Sequence, residues 1–195
     1  MRRAVVLGLL FLNAACVSHV AFRPREHVDS ESPGGIPAAS YSVEHDGRSS
    51  EVRLWTTGVE REEGRTIVRV EFEVENRFAV PIVIAGADVH VEAIELDDGS
   101  IDRLERVAVH GSVSTAPGAV GISGCEFVFP EDVGPGDVRA FSVRWKLAEP
   151  VVFEQQTAFR RAPIPAYRGY YEVGFPLFYY RHSRPYRRCP PGPWL

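Results

Sequence analysis

The sequence predicts an all-β protein built as a single antiparallel β-sandwich, and three observations carry that prediction. Apolar and polar residues alternate through several short segments, as in Val68, Val70, Phe72 and Val74 against Arg69, Glu71, Glu73 and Glu75. Turn-forming residues separate those segments at short intervals. No stretch shows the apolar spacing of a convincing amphipathic helix. Period two sends successive side chains to opposite faces, as half-buried strands packed over one core require.

The amino end has a different character. Met1-Arg2-Arg3 is cationic, residues 4–12 are almost wholly apolar, and Asn13-Ala14-Ala15 are compact residues set before Cys16. This order reads as an export signal helix over residues 1–15. Its apolar core is shorter than the roughly 20 residues of a transmembrane helix. Ala14-Ala15-Cys16 resembles the lipobox of bacterial lipoproteins, although Asn13 stands where that family carries Leu or another aliphatic residue, and Leu12 lies one place further out. The resemblance implies cleavage before Cys16 and acyl chains on its thiol. Each buried methylene would contribute about 0.8 kcal/mol to membrane anchoring. Val17 stands where the family's inner-membrane retention signal has Asp, which implies an outer-membrane address facing the periplasm. The alternative is an ordinary secretory signal that leaves Cys16 a free thiol.

Residues 16–49 are rich in Ser, Pro, Gly and charge, centred on Ser32-Pro33-Gly34-Gly35, and are predicted to be a flexible tether. The sandwich is predicted to occupy residues 50–157. Val52, Leu54 and Thr56 open it; the strand ending at Asn76 follows; Asp88 to Leu96 form another, closed by Asp97-Asp98-Gly99-Ser100. Cys125, Phe127 and Phe129 alternate with Glu126 and Val128, and Phe141, Val143, Trp145 and Leu147 alternate with Ser142, Arg144 and Lys146. The run from Phe127 through Pro130, Gly134-Pro135-Gly136-Asp137 and Phe141 to Trp145 looks like the Pro-Gly corner of immunoglobulin-like domains in bacterial envelope proteins. Phe72-Glu73-Val74-Glu75-Asn76-Arg77 leading to Pro81 is similar to a strand-ending segment of LEA14-like modules. These resemblances imply an immunoglobulin-like fold and a binding or structural module, without fixing an activity.

Charge divides the chain. From 17 to 157 thirteen basic residues face twenty-five acidic ones, whereas residues 158–195 hold seven Arg and one Glu. Lysine occurs once, at Lys146, while Arg is frequent; this choice is not read as nucleic-acid chemistry, and no nucleic-acid partner is expected. The tail is aromatic as well as basic: Tyr170, Tyr171, Tyr179, Tyr180 and Trp194 are interleaved with Arg181, Arg184, Arg187 and Arg188. Aromatic and Arg side chains are what binding hot spots favour. They make this tail a candidate surface for an envelope protein or an anionic glycan or lipid. The preferred reading is that the aromatics complete the sandwich core while the Arg residues cover its acidic face. Cys125 and Cys189 are a candidate disulfide in an oxidising compartment, closing a loop that would stabilise by roughly 4 kcal/mol. The alternatives are a buried free Cys125 and an exposed Cys189.

Asp88, His90 and Glu92 are the nearest approach to a metal site, since alternation puts all three on one face. Same-face neighbours on one strand lie about 7 Å apart, so they converge on an ion only with ligands from elsewhere. A solvated sheet face is the preferred reading. Glu71, Glu73 and Glu75 form an acidic stripe and Arg144 and Lys146 a basic one, predicted to pair if their strands are neighbours. No Gly-x-Ser-x-Gly elbow, His-Glu-x-x-His, P-loop or dinucleotide fingerprint occurs. No catalytic residue or cofactor is therefore assigned. The reading is a non-catalytic, membrane-anchored envelope lipoprotein; the alternative is a ligand-binding or hydrolytic lipoprotein whose site lies between sandwich and tail.

Overall fold

The computed structural model describes residues 19–162 apart from 29, 112 and 113. Among the described residues fourteen strands are formed, and every pairing among them is antiparallel. They run β1 (His19–Val20), β2 (Phe22–Pro24), β3 (Ser30–Glu31), β4 (Pro37–His45), β5 (Arg48–Glu62), β6 (Arg65–Glu75) and β7 (Ile82–Val83). They continue β8 (His90–Leu96), β9 (Ser100–Arg103), β10 (Glu105–Gly111), β11 (Ser114–Thr115), β12 (Val120–Val128), β13 (Val138–Leu147) and β14 (Phe153–Arg161). One sheet is ordered β10-β12-β6-β5-β4-β3 with β1 beside β5; the second is β2-β14-β13-β8-β9; β7 and β11 form a small ribbon.

The two large sheets pack face to face over one core. Leu54, Val70 and Phe72 project from the first sheet and Phe141, Val143, Trp145 and Phe159 from the second, all essentially sealed from solvent. These are the inward positions that alternation marks. Trp145 meets Phe72 and Tyr41 of the opposite sheet edge-on, with ring centroids 5.5 Å and 5.4 Å apart. Each such pair is worth about 0.5–1.5 kcal/mol beyond its buried area.

Local turn chemistry fixes the register of the long hairpins. His45 pairs with Arg48 across Asp46-Gly47, and Glu62 with Arg65 across Glu63-Gly64. All four turn residues have positive φ, between 49° and 85°. That is the two-residue geometry whose twist matches the flanking strands.

Part of the segment predicted as a tether, Pro37–His45, belongs to the sandwich. Pro37–His45 pairs along β5, and Ala39, Tyr41 and Val43 enter the core. Alternation was present there but diluted by Ser and Pro. Ser32-Pro33-Gly34-Gly35 is a tight turn between β3 and β4, not a linker: Ser32 Oγ accepts from Gly34 N and Ile36 N, and Ser32 N donates to Ile36 O. At the other end β14 runs past the boundary set at residue 157, burying Phe159 and pairing with β2 through Arg161. The folded body thus takes in residues assigned from sequence to tether and tail.

Asn76 closes β6. Its Nδ2 donates to Val80 O and Thr115 O at 2.9 and 2.8 Å, and its Oδ1 accepts from Phe78 N at 2.9 Å. The segment from Phe72 to Pro81 therefore has a structural use here, as Asn76 holds the loop to Pro81 against β11.

Candidate functional site

The chain crosses from one sheet to the other between β9 and β10, and this corner carries a concavity. Leu104 is the crossing residue, buried, with its N–H donating to Val91 O at 2.9 Å. Opposite it sits the short 3-10 turn Gly86–Asp88. A Cβ on Gly86 would lie 2.5 Å from Val109 Cγ2, so glycine is what lets this turn approach β10. The result is a shallow recess of about 260 Å³. Its floor is Val89, Leu104 and Phe127; its rim is His90, Arg103 and Arg106.

The rim is electropositive. Arg103 Nη2 contacts His90 Nδ1, and Arg106 Nη1 donates to Gly86 O. A guanidinium has donors only, so Nδ1 must accept and the imidazole proton sits on Nε2. Burial, then the charges of Arg103 and Arg144, hold the His90 pKa below its usual value, so the ring is neutral near pH 7.

Of the proposed metal trio only His90 and Glu92 lie on β8, for Asp88 ends the 3-10 turn before it, and each of the three has a basic partner. Lys146 Nζ stands 3.1 Å from Asp88, Arg144 Nε 3.4 Å from Glu92, and Arg103 against His90. Among the described residues no group of three or more His, Cys, Asp or Glu side chains is placed to hold a metal ion. The same contacts correct the predicted pairing of stripes. β6 lies between β5 and β12, whereas β13 lies in the other sheet between β14 and β8. Arg144 and Lys146 therefore neutralise Glu92 and Asp88. Glu73 is met by Arg53 at 2.9 Å, Glu75 by Arg77 at 2.7 Å, and Glu71 by His110 at 2.8 Å.

Glu71 and His110 form a dyad on the outer face of the first sheet. A Cβ on the intervening Gly124 would lie 2.4 Å from both side chains, so the contact depends on that glycine. The hydrogen bond to Glu71 raises the His110 pKa against the opposing effect of burial. Arg69 makes a second polar centre, reaching Glu60, Glu62 and Glu126 together.

Cys125 is a free, buried thiol, which burial pushes up to about 11; it stays protonated and unreactive at neutral pH. Its predicted partner Cys189 lies outside the described residues. So do the predicted signal peptide, Cys16 and the tail residues Tyr170, Tyr171, Tyr179, Tyr180, Arg181, Arg184, Arg187, Arg188 and Trp194. Sequence reasoning missed Arg103, Arg106 and the Glu71–His110 dyad, because each depends on strands distant in the chain becoming neighbours.

These features define an antiparallel β-sandwich with a basic recess at one corner. The chain matches no protein-family model, no curated protein and no solved structure.

Proposed function

We propose that the protein is a non-catalytic module of the cell envelope, anchored to a membrane through lipid on Cys16 and acting by binding or by supporting an assembly. The observation that carries this reading is the position of β1. Only Val17 and Ser18 separate Cys16 from His19, the first residue of β1. A chain that short reaches about 10 Å at full extension, so an acylated Cys16 would hold the sandwich close against the bilayer. A firmly seated body suits recognition or scaffolding at the membrane surface, and the outer membrane facing the periplasm is the address we favour.

Two further features support the reading. Asp88, Glu92, Glu71 and Glu73 are each committed to a neighbouring base, as side chains that set register are. Ala162 N donates to Ala21 O at 2.9 Å, so the end of β14 lies beside the segment that follows β1, the strand nearest the proposed anchor. An anionic headgroup or an envelope partner is the ligand we propose for the basic, aromatic residues that follow.

Labelled palmitate fed to expressing cells tests the anchor. Label is expected in the wild-type protein and not in Cys16→Ser; equal labelling of both, or none in either, would refute it.

A further inference from the structure

We propose that the corner between β9 and β10 binds a phosphate-class dianion, held by the guanidinium groups of Arg103 and Arg106 with the His90 imidazole beside them. The site goes beyond membrane anchoring and does not depend on acylation of Cys16.

The argument begins with what the cations face. Arg53, Arg69, Arg77, Arg139, Arg144 and Lys146 each reach a carboxylate. Arg103 and Arg106 contact neutral acceptors instead, the His90 ring and the Gly86 carbonyl, and both line the same recess. Asp102 and Glu105 alternate with them along the strands, which turns those carboxylates to the opposite face. Glu92, the acidic group nearest His90, is paired with Arg144.

Two positive charges therefore share one concavity, and among the described residues neither forms an ion pair, since Glu92, the cross-strand neighbour of Arg103, is taken by Arg144. The apolar floor of Val89, Leu104 and Phe127 keeps water from one side, which strengthens attraction relative to an open surface. Each guanidinium has five N–H donors and gives one group to its contact, leaving N–H donors for a second fork. Such forks match the paired oxygens of phosphate or carboxylate. A phosphate dianion balances both charges, whereas a monocarboxylate leaves one unbalanced. The neutral His90 adds an Nε2–H donor, and its depressed pKa, caused after burial by Arg103 and Arg144 with Arg106 adding to them, is what a bound anion would reverse.

The test uses the full chain in non-ionic detergent micelles at low salt. Titration calorimetry follows inorganic phosphate, and a parallel arm dopes the micelles with phosphatidate to separate a soluble phosphate from a lipid headgroup. Arg103→Gln/Arg106→Gln is compared with Arg139→Gln, whose guanidinium pairs with Asp97 on the same sheet. Circular dichroism confirms that all three fold. The expected result is saturable binding of phosphate or of phosphatidate, weakened about tenfold or more by the double substitution and unchanged by the control. Which arm saturates identifies the source. Absence of binding in both arms, or equal binding by wild type and double variant, would overturn the proposal.

Discussion

The hydroxyl of Tyr41 lies 2.6 Å from that of Thr157, 116 residues away in sequence, and joins β4 of one sheet to β14 of the other inside the core. Trp145 Nε1 donates to the same Thr157 oxygen at 3.3 Å. Three polar groups are thereby satisfied in a place without water. Tyr41→Phe removes one bond and leaves the second, and should cost about 1 kcal/mol. Thr157→Val strands both Tyr41 and Trp145, and should cost about 3 kcal/mol. Urea denaturation of the two single variants and the double checks this; additive losses would show that the hydroxyls are not coupled.

The Glu71–His110 pair gives stability a pH dependence. The pKa of His110 is raised in the folded protein, chiefly by its hydrogen bond to Glu71. Protonation is then favoured by folding. The contribution is full below the unfolded value of about 6.5 and is lost as pH rises through the higher folded value. His110→Gln should lower the melting temperature under mildly acidic conditions and make little difference at alkaline pH. The comparison is a pair of thermal melts at each of two pH values.

Gly58 is the gate for β1. Its φ of +113° disfavours any side chain, and a Cβ there would lie 2.6 Å from Val20 O and 2.7 Å from His19 Nε2. The His19 ring also contacts Thr57 O at 2.7 Å. Gly58→Ala should cost roughly 2 kcal/mol or more and release β1, so that limited proteolysis cuts near His19 before the rest of the sandwich opens.

The carboxyl-terminal limit of the body can be placed by truncation. A chain ending at Thr157 loses Phe159, which is fully buried and stacked on Phe141 with centroids 5.3 Å apart. It also loses the pairing of β14 with β2. Removal of a buried aromatic alone costs about 3–5 kcal/mol. A chain ending at Ala162 keeps both. Circular dichroism melts should show the longer truncation product folded and the shorter one severely destabilised.

These contrasts show which parts of the structure were legible in the sequence. Val68 to Val74 and Phe141 to Leu147 were readable because strand alternation is local and uninterrupted there. β4 was hidden because Ser40, Ser42 and Pro37 resemble linker composition, although Ala39, Tyr41 and Val43 alternate beneath it. Asp46-Gly47 and Glu63-Gly64 were the local signals that could have marked its hairpins. Strand order was not legible: nothing near Arg144 states that β8, and not β6, will lie beside it. The recess fails for the same reason, since Arg103 and His90 meet only once β9 has folded onto β8.

The intact mass of the protein purified from envelope tests the central claim most directly. The account predicts a chain beginning at Cys16 and carrying the added mass of acyl chains. A chain that retains residues 1–15, or one cleaved but unacylated, would contradict it.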